Sequence, residues 1–160
     1  MALLANHRIL VTGVLTDDSL AFGIAQRCLE EGATVALSGA GRGLNLTRRV
    51  ARKLGDVGEI IALDVTSPEE IAAAAEEVRT RFGRLDGLVH AIGYAPESCL
   101  GSGMLTAPFE DVATAMQIST YSLAALTKAF LPLLTKSEAP GGASIVALDF
   151  DGSRAYPMYD

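Results

Sequence analysis

The amino-acid sequence predicts an α/β fold of the doubly wound class, a parallel sheet of about five strands with helices on both faces. Short, almost continuously apolar runs alternate along the chain with longer segments of helical character. Such strands are buried on both faces and are joined by right-handed helical crossovers. The first apolar run also breaks into Gly13 and a polar stretch before a helix begins, which is the order of a phosphate-binding turn.

The first strand and the first helix are predicted on either side of Gly13. Residues 7–12 form the run HRILVT, which predicts the strand. The helix is expected over residues 20–31, with Ser19 as its N-cap and Gly32 as its stop. A glycine at this turn lets the backbone approach a pyrophosphate, and the helix dipole with its free N–H groups favours the negative charge.

The remaining elements continue the alternation. Further strands are predicted at residues 34–38, 60–63, 85–91 and 143–148, and further helices at 44–54, 68–82 and 108–134. The helix at 68–82 follows Ser67-Pro68-Glu69-Glu70, which is a capping box with proline at the first helical position. In the strand order 3-2-1-4-5-6 a ligand lies at the carboxyl ends of strands 1 and 4. Residues 1–160 are therefore expected to form one dinucleotide-binding domain of the Rossmann type.

Composition narrows the possible functions. The chain has 160 residues, a formal net charge of −6 and a pI near 4.9. This charge argues against general nucleic-acid binding, which needs a clustered basic surface. No apolar run reaches the roughly 18 residues of a membrane span, and residues 1–6 lack the pattern of a signal peptide. A cytoplasmic protein is expected.

The cysteines and histidines predict no metal site. Cys28 lies on the apolar face of the first helix, and Cys99 lies in a loop without a base partner. His7 and His90 have no metal-ligand spacing with either cysteine, so structural roles are expected for both histidines.

The glycine loop has an unusual spacing. The common fingerprint is Gly-x-Gly-x-x-Gly, whereas Gly13 is followed by a longer loop without the middle glycine, and Ser19-Leu20-Ala21 leads into the helix. This loop resembles that of the enoyl-acyl-carrier-protein reductases, a divergent branch of the short-chain dehydrogenase/reductase superfamily. The likeness is to the mycobacterial type and runs along essentially the whole chain. It implies NADH-dependent reduction of trans-2-enoyl thioesters in fatty-acid synthesis, with Gly13, Ser19 and Leu20 as cofactor contacts.

The resemblance implies further contacts to the cofactor. Asp64 and Val65 would lie against the adenine ring, with the carboxylate accepting from the adenine amino group. The alternative is that Asp64 only caps the next turn. Ile92 and Gly93 follow the fourth strand and would pass beside the nicotinamide ribose and the pyrophosphate. Ile118, in the long helix, would be a neighbour of the cofactor.

The end of the second strand bears on the choice of cofactor. NAD sites usually carry a carboxylate about 20 residues after the glycine loop, where it binds the ribose 2′-hydroxyl. This chain has Gly39-Ala40-Gly41-Arg42 there, with no acid. Arg42 could in principle meet the 2′-phosphate of NADPH, but the resemblance implies NADH.

The proposed chemistry lies near the carboxyl end of the given sequence. Leu148-Asp149-Phe150 closes the fifth strand. The resemblance implies that Phe150 lies beside the nicotinamide and the substrate, with the core as its alternative place, and that Asp149 is a cofactor contact. Tyr159 is the implied catalytic tyrosine, because its hydroxyl would stabilise the thioester oxygen as it becomes an enolate. The family's accompanying lysine would stand beyond Asp160, so we expect a chain truncated before the substrate-binding segment.

Two other functions stay open at this point. A carbonyl reductase of the same superfamily needs Tyr-x-x-x-Lys. Tyr156 fails that pattern, because Asp160 stands four residues later, and the given sequence does not test Tyr159. A non-catalytic nucleotide-binding fragment is the other alternative, with the fifth strand as an unpaired sheet edge.

The resemblance also implies partners. The substrate would be an enoyl thioester on acyl-carrier protein, and the enzyme would be a homotetramer packed partly through the helix at 108–134. The negative net charge opposes docking of an acidic carrier, so that contact would use a local basic patch. The candidate patch is Arg48, Arg49, Arg52 and Lys53, for which a solvated helix face is the alternative.

Overall fold

The computed structural model describes residues 2–101 and 105–154, and these form a parallel sheet of five strands in the order β3-β2-β1-β4-β5. The predicted fold class is confirmed. The strands are β1 (Arg8–Val11), β2 (Thr34–Gly39), β3 (Ile61–Ala62), β4 (Gly87–His90) and β5 (Ser144–Ala147). The helices are α1 (Leu20–Glu30), α2 (Gly41–Ala51), α3 (Pro68–Phe82), α4 (Phe109–Met116) and α5 (Ser122–Leu134).

Two serines begin helices as the sequence predicts. The Ser19 hydroxyl accepts a hydrogen bond from the Phe22 amide at 3.2 Å at the start of α1, and Ser67 accepts one from Glu70 at 3.1 Å at the start of α3. The second cap is not the reciprocal box that was expected. The Glu70 carboxylate accepts from the Asp64 amide at 2.8 Å, because that donor lies in the turn between β3 and α3. Glu70 therefore stabilises the turn that carries Asp64.

The helix predicted over residues 108–134 is interrupted. α4 ends at Met116, a π-helical turn occupies Gln117–Tyr121, and α5 begins at Ser122. The apolar periodicity of the sequence did not predict this π-helical turn, because contacts of its side chains with other parts of the chain decide whether it forms.

The sheet is buried between two apolar layers. Leu10 of β1 packs with Leu88 and Phe130 on the face covered by α3 and α5. The next residue, Val11, packs with Leu37 on the opposite face, which α1 and α2 cover. All five side chains are fully buried, and each such burial contributes about 1.5–3 kcal/mol. The two layers hold the strand ends in fixed positions, and those ends form the site described below.

β5 is the outermost strand on its side of the sheet. It pairs with β4, and within the described residues its four side chains are exposed, including Val146 at 49%. In the same described ranges, no helix is both long and apolar enough to cross a membrane.

Candidate functional site

Gly13 lies where the chain leaves β1 and passes the end of β4. Its φ of +79° is a left-handed conformation, and a β-carbon added to it would lie 1.8 Å from the carbonyl oxygen of Ala91. The carbonyl oxygen is a backbone atom and the β-carbon is bonded directly to the backbone, so no side-chain rotation relieves the clash. Only glycine fits this position.

Thr12 joins the same two strand ends. Its buried hydroxyl donates to the carbonyl oxygen of Val89 at 3.0 Å and accepts from the amide of Ala91 at 3.1 Å. Because this hydroxyl both donates and accepts, its burial does not leave a polar group without a partner. The close approach of Gly13 to Ala91 is therefore supported by two hydrogen bonds from its neighbour.

Thr47 holds the other side of the glycine loop. Its hydroxyl is fully buried and lies 2.7 Å from the carbonyl oxygen of Val14 and 3.1 Å from that of Gly43. The loop after β1 is thus attached to α2 as well as to β4. The sequence reasoning missed Thr47, whose only signal was a threonine on the inner face of a predicted helix.

The start of α1 suits an anion. Its first turn contains no acidic residue. Ser19 accepts a hydrogen bond from the Phe22 amide, which leaves the amides of Leu20 and Ala21 without an acceptor within the helix. Ser19 also donates to the carbonyl oxygen of Thr16 at 2.7 Å, so one side chain orders both the loop and the helix start. Lys53 forms an ion pair with Asp17 in the loop and holds the pKa of that carboxyl below its usual value.

A cavity of about 310 Å³ lies at the carboxyl ends of β1 to β4. Its lining brings together six residues that the sequence predicted as cofactor contacts. They are Gly13, Asp64, Val65, Ile92, Gly93 and Ile118. These residues come from four separate stretches of the chain, and the strand order makes them neighbours.

The residues at the end of β2 form another wall of the cavity. Ser38, Gly39 and Ala40 end β2 and line the cavity, with Leu15 and Leu63 nearby in the same wall. The sequence predicted that Gly39 and Ala40 lie where a cofactor ribose binds, because they follow the second strand as Gly13 follows the first, but Ser38 was not singled out. Among the residues that the structure describes, no acidic side chain lines the cavity at the end of β2, and Arg42 is exposed and lies outside the lining.

Asp64 caps the turn after β3. Its Oδ1 atom accepts from the amide of Thr66 at 2.8 Å and from the Thr66 hydroxyl at 2.7 Å. The turn-capping role that the sequence allowed is therefore present. Both bonds use the same oxygen, so the carboxylate can cap the turn and still offer its other oxygen to a ligand.

The remaining predicted residues lie apart from this cavity. Ser19 and Leu20 line an open groove together with Leu148. Asp149 accepts a hydrogen bond from the Phe150 amide at 2.7 Å, and neither residue belongs to the lining of this cavity or of the open groove.

The structure describes Phe150 but not the two tyrosines near the end of the sequence. Phe150 is 66% exposed, so its alternative placement in the core is wrong for the described structure. Tyr156 and Tyr159 lie outside the described residues.

Cys28 and His90 are buried, as their expected structural roles require. Cys28 lies in the core, where burial raises the pKa of its thiol. His90 is 2% exposed, and burial lowers the pKa of its imidazole. Among the residues that the structure describes, no group of three or more histidine, cysteine or acidic side chains could hold a metal ion.

Comparison with known proteins gives consistent matches. The family model described as enoyl-(acyl carrier protein) reductase matches residues 13–160. The chain is 42% identical to enoyl-acyl-carrier-protein reductases (NADH) of Mycolicibacterium smegmatis and Mycobacterium avium, with 99% of this chain and 58% of each relative aligned. It is 37% identical to that of Neisseria meningitidis, with 100% of this chain and 60% of the relative aligned.

The chain thus spans about three fifths of the length of the curated relatives it matches. The family match covers nearly all of the chain, including the glycine loop and the cavity lining after β1. The resemblance inferred from the sequence is confirmed: this chain belongs to the enoyl-(acyl carrier protein) reductase family.

Proposed function

We propose that this chain binds NADH and forms the dinucleotide-binding domain of an enzyme that reduces the C2=C3 bond of trans-2-enoyl thioesters on acyl-carrier protein. The observation that carries the proposal is the cavity at the strand ends, where the backbone of Gly13 passes Ala91 without room for a side chain. The names of the relatives supply the reaction and the cofactor.

The residues present fit a dinucleotide. Gly13 leaves backbone accessible beside the cavity, and the start of α1 after Ser19 offers amides and a helix dipole to a pyrophosphate. Asp64 would accept from the adenine amino group, with Val65 against the ring. Ile92, Gly93 and Ile118 would form the wall beside the nicotinamide ribose. Leu20 would cover the pyrophosphate groove, and Asp149 would approach from the end of β5.

The absence of a carboxylate at the end of β2 affects the preference between NADH and NADPH. Ser38, Gly39 and Ala40 are small and uncharged, so they would leave the adenosine ribose without a charged partner. Arg42 is exposed and does not line the cavity. A 2′-phosphate therefore gains no ion pair there, and we propose NADH as the cofactor.

The proposed chemistry assigns two aromatic residues to the reaction. When bound, the cofactor would supply the hydride that adds to C3 of the enoyl thioester, and C2 would then take up a proton. The Tyr159 hydroxyl would donate a hydrogen bond to the thioester oxygen as negative charge develops there, and one such donor is worth roughly 2.7–4 kcal/mol. Phe150 would exclude water from the reacting atoms. Its ring is exposed at the end of β5, on the side of the sheet where the strand ends form the site.

The assembly and the carrier contact are part of the same proposal. α4 exposes Phe109, Val112 and Met116, and such an apolar surface is suited to packing in a cytoplasmic homotetramer. Arg48, Arg49 and Arg52 are exposed on and after α2, where they could meet an acidic carrier protein.

The proposal is tested by titrating the 160-residue protein with NADH and NADPH and following cofactor fluorescence. We expect saturable binding with a lower Kd for NADH. Reduction of a crotonyl thioester is then followed by the loss of NADH absorbance. Tyr159→Phe should lower any turnover by about 100- to 1,000-fold, while Tyr156→Phe is the matched control. Saturable binding of an unrelated nucleotide, without binding of NADH, would reject the assignment.

A further inference from the structure

Ser119, within the π-helical turn, is hydrogen-bonded twice to one residue after β4. Its hydroxyl accepts from the Tyr94 amide at 3.0 Å and donates to the Tyr94 carbonyl oxygen at 2.9 Å. The two residues are 25 positions apart in the sequence. A single side chain thus replaces the backbone pairing that Tyr94 would make in a sheet, and it attaches the turn to the segment that lines the cavity.

Ser122, directly after the turn, makes a second connection to β4. Its hydroxyl donates to the Ile118 carbonyl oxygen at 2.6 Å and lies 2.7 Å from Nε2 of His90. A serine hydroxyl has one proton. Because that proton is directed to Ile118, Nε2 of His90 must carry hydrogen and donate to Ser122. Both side chains are buried, and burial favours the neutral imidazole that this arrangement requires.

Ile118 directly precedes Ser119, its carbonyl oxygen accepts from Ser122, and it lines the cavity. A π-helical turn is rare, so it persists where surrounding contacts favour it, often at functional sites. Here the contacts are polar and saturated, because the described structure contains no buried side-chain nitrogen or oxygen without a hydrogen bond. The position of Ile118 therefore depends on hydrogen bonds that do not themselves face the cavity.

We infer that His90, Ser119 and Ser122 are positioning residues that hold the π-helical turn against the end of β4 and so set the place of Ile118 in the cavity wall. The inference rests on the proposed function, in which this wall faces the nicotinamide ribose. It goes beyond the family match, because it assigns a role to three residues that do not themselves line the cavity.

The first test measures how well the π-helical turn is protected from exchange in the absence of cofactor. Hydrogen–deuterium exchange of the segments containing Tyr94 and residues 117–121 is compared in wild type, Ser119→Ala and Ser122→Ala. We expect each variant to accelerate exchange about fivefold or more in both segments, because each removes the two hydrogen bonds of one hydroxyl. Ser137→Ala is the matched control, because Ser137 donates to Asp86 at 2.7 Å at the opposite ends of the strands. It should leave both segments unchanged.

The second test measures NADH binding by fluorescence titration. Ser122→Ala should raise the Kd about five- to tenfold, and Ser137→Ala should not, even where both lower the stability equally. Introduced into an Ile118→Ala background, Ser122→Ala should have little further effect, because its influence passes through the missing side chain. His90→Gln, which keeps an N–H donor, should retain NADH affinity better than His90→Leu.

The outcomes separate this inference from the proposed function. Wild-type protein that fails to bind NADH rejects the proposed function, while the exchange experiment still decides whether the serines hold the turn. Unchanged exchange in Ser119→Ala and Ser122→Ala overturns the inference. So does an NADH affinity that falls equally in Ser122→Ala and Ser137→Ala, since that result would show a general loss of stability.

Discussion

A β-carbon on Gly13 would lie 1.8 Å from the carbonyl oxygen of Ala91. This close approach brings the loop after β1 against the end of β4, where the parallel sheet reverses its order of connection. In sheets of this class, ligands bind at that reversal. The pairing of β1 with β4 therefore explains both why residue 13 must be glycine and where the cavity lies.

Gly13→Ala should destabilise the protein and abolish NADH binding. The substitution adds a β-carbon to a left-handed backbone and forces two strand ends apart, so a loss of several kcal/mol is expected. Urea denaturation and fluorescence titration measure the two effects. Gly23→Ala is the control, because no atom lies within 4 Å of its added β-carbon and alanine favours a helix. Equal behaviour of the two variants would refute the steric argument.

Thr47→Val should loosen the glycine loop while preserving the shape of the side chain. It leaves the Val14 carbonyl oxygen without its hydrogen bond in a buried place, which costs about 1–3 kcal/mol. We expect weaker NADH binding as well, because the loop faces the cavity. Thr114→Val removes an exposed bond to Glu110 and should change stability by less than about 0.5 kcal/mol. A Thr47→Val protein with wild-type affinity and stability would contradict this account.

The free energy of unfolding should decrease on mild acidification because of His90. Burial lowers the pKa of the folded imidazole below the ordinary value of 6.5, so below that pH the unfolded chain binds a proton that the folded chain does not. Stability is therefore retained above pH 6.5 and falls as the pH decreases, by up to about 1.4 kcal/mol per pH unit. Denaturant midpoints between pH 7.5 and about 5.5 measure this slope. His90→Gln should have a flatter profile, and an identical profile would disprove the assignment.

Asp86→Asn should lower stability without changing NADH affinity. Burial raises the pKa of Asp86, but hydrogen bonds from Ser137, Arg8, Arg84 and Glu138 outweigh that effect and keep it below 3.8. Removing one partner of such a buried charged network costs about 3–5 kcal/mol. These residues lie at the amino ends of the strands, away from the cavity.

The control for this prediction is Asp151→Asn. Asp151 accepts bonds from Ser153 on an exposed surface, so its loss should change stability by less than about 0.5 kcal/mol. The measurement is the Kd for NADH at temperatures where Asp86→Asn stays folded. A higher Kd than in the wild type would contradict the claim that the amino ends of the strands do not affect the cavity.

Local patterns were sufficient to predict most of the elements. The alternation of apolar runs and helices predicted the five strands that the structure describes, and the serine caps at α1 and α3 followed from residue types within one turn. These features depend on contacts between near neighbours in the chain. The glycine loop likewise predicted the family, since its spacing lies within one short segment.

Other features of the site could not be read from the sequence. The Glu70 carboxylate binds the Asp64 amide instead of returning to Ser67, and the predicted contacts divide between a cavity and an open groove. Ser38 and Thr47 join the site only because β2 and α2 pack beside β1.

The sequence alone therefore determined the class of fold, the family and the glycine turn, because periodicity, capping and turn chemistry act over a few residues. The tertiary structure decided where the helix at 108–134 breaks and how His90, Ser119 and Ser122 meet. Those contacts join residues 25 and 32 positions apart. They form only when packing of the two cores brings the end of β4 and the start of α5 together, which no local pattern records.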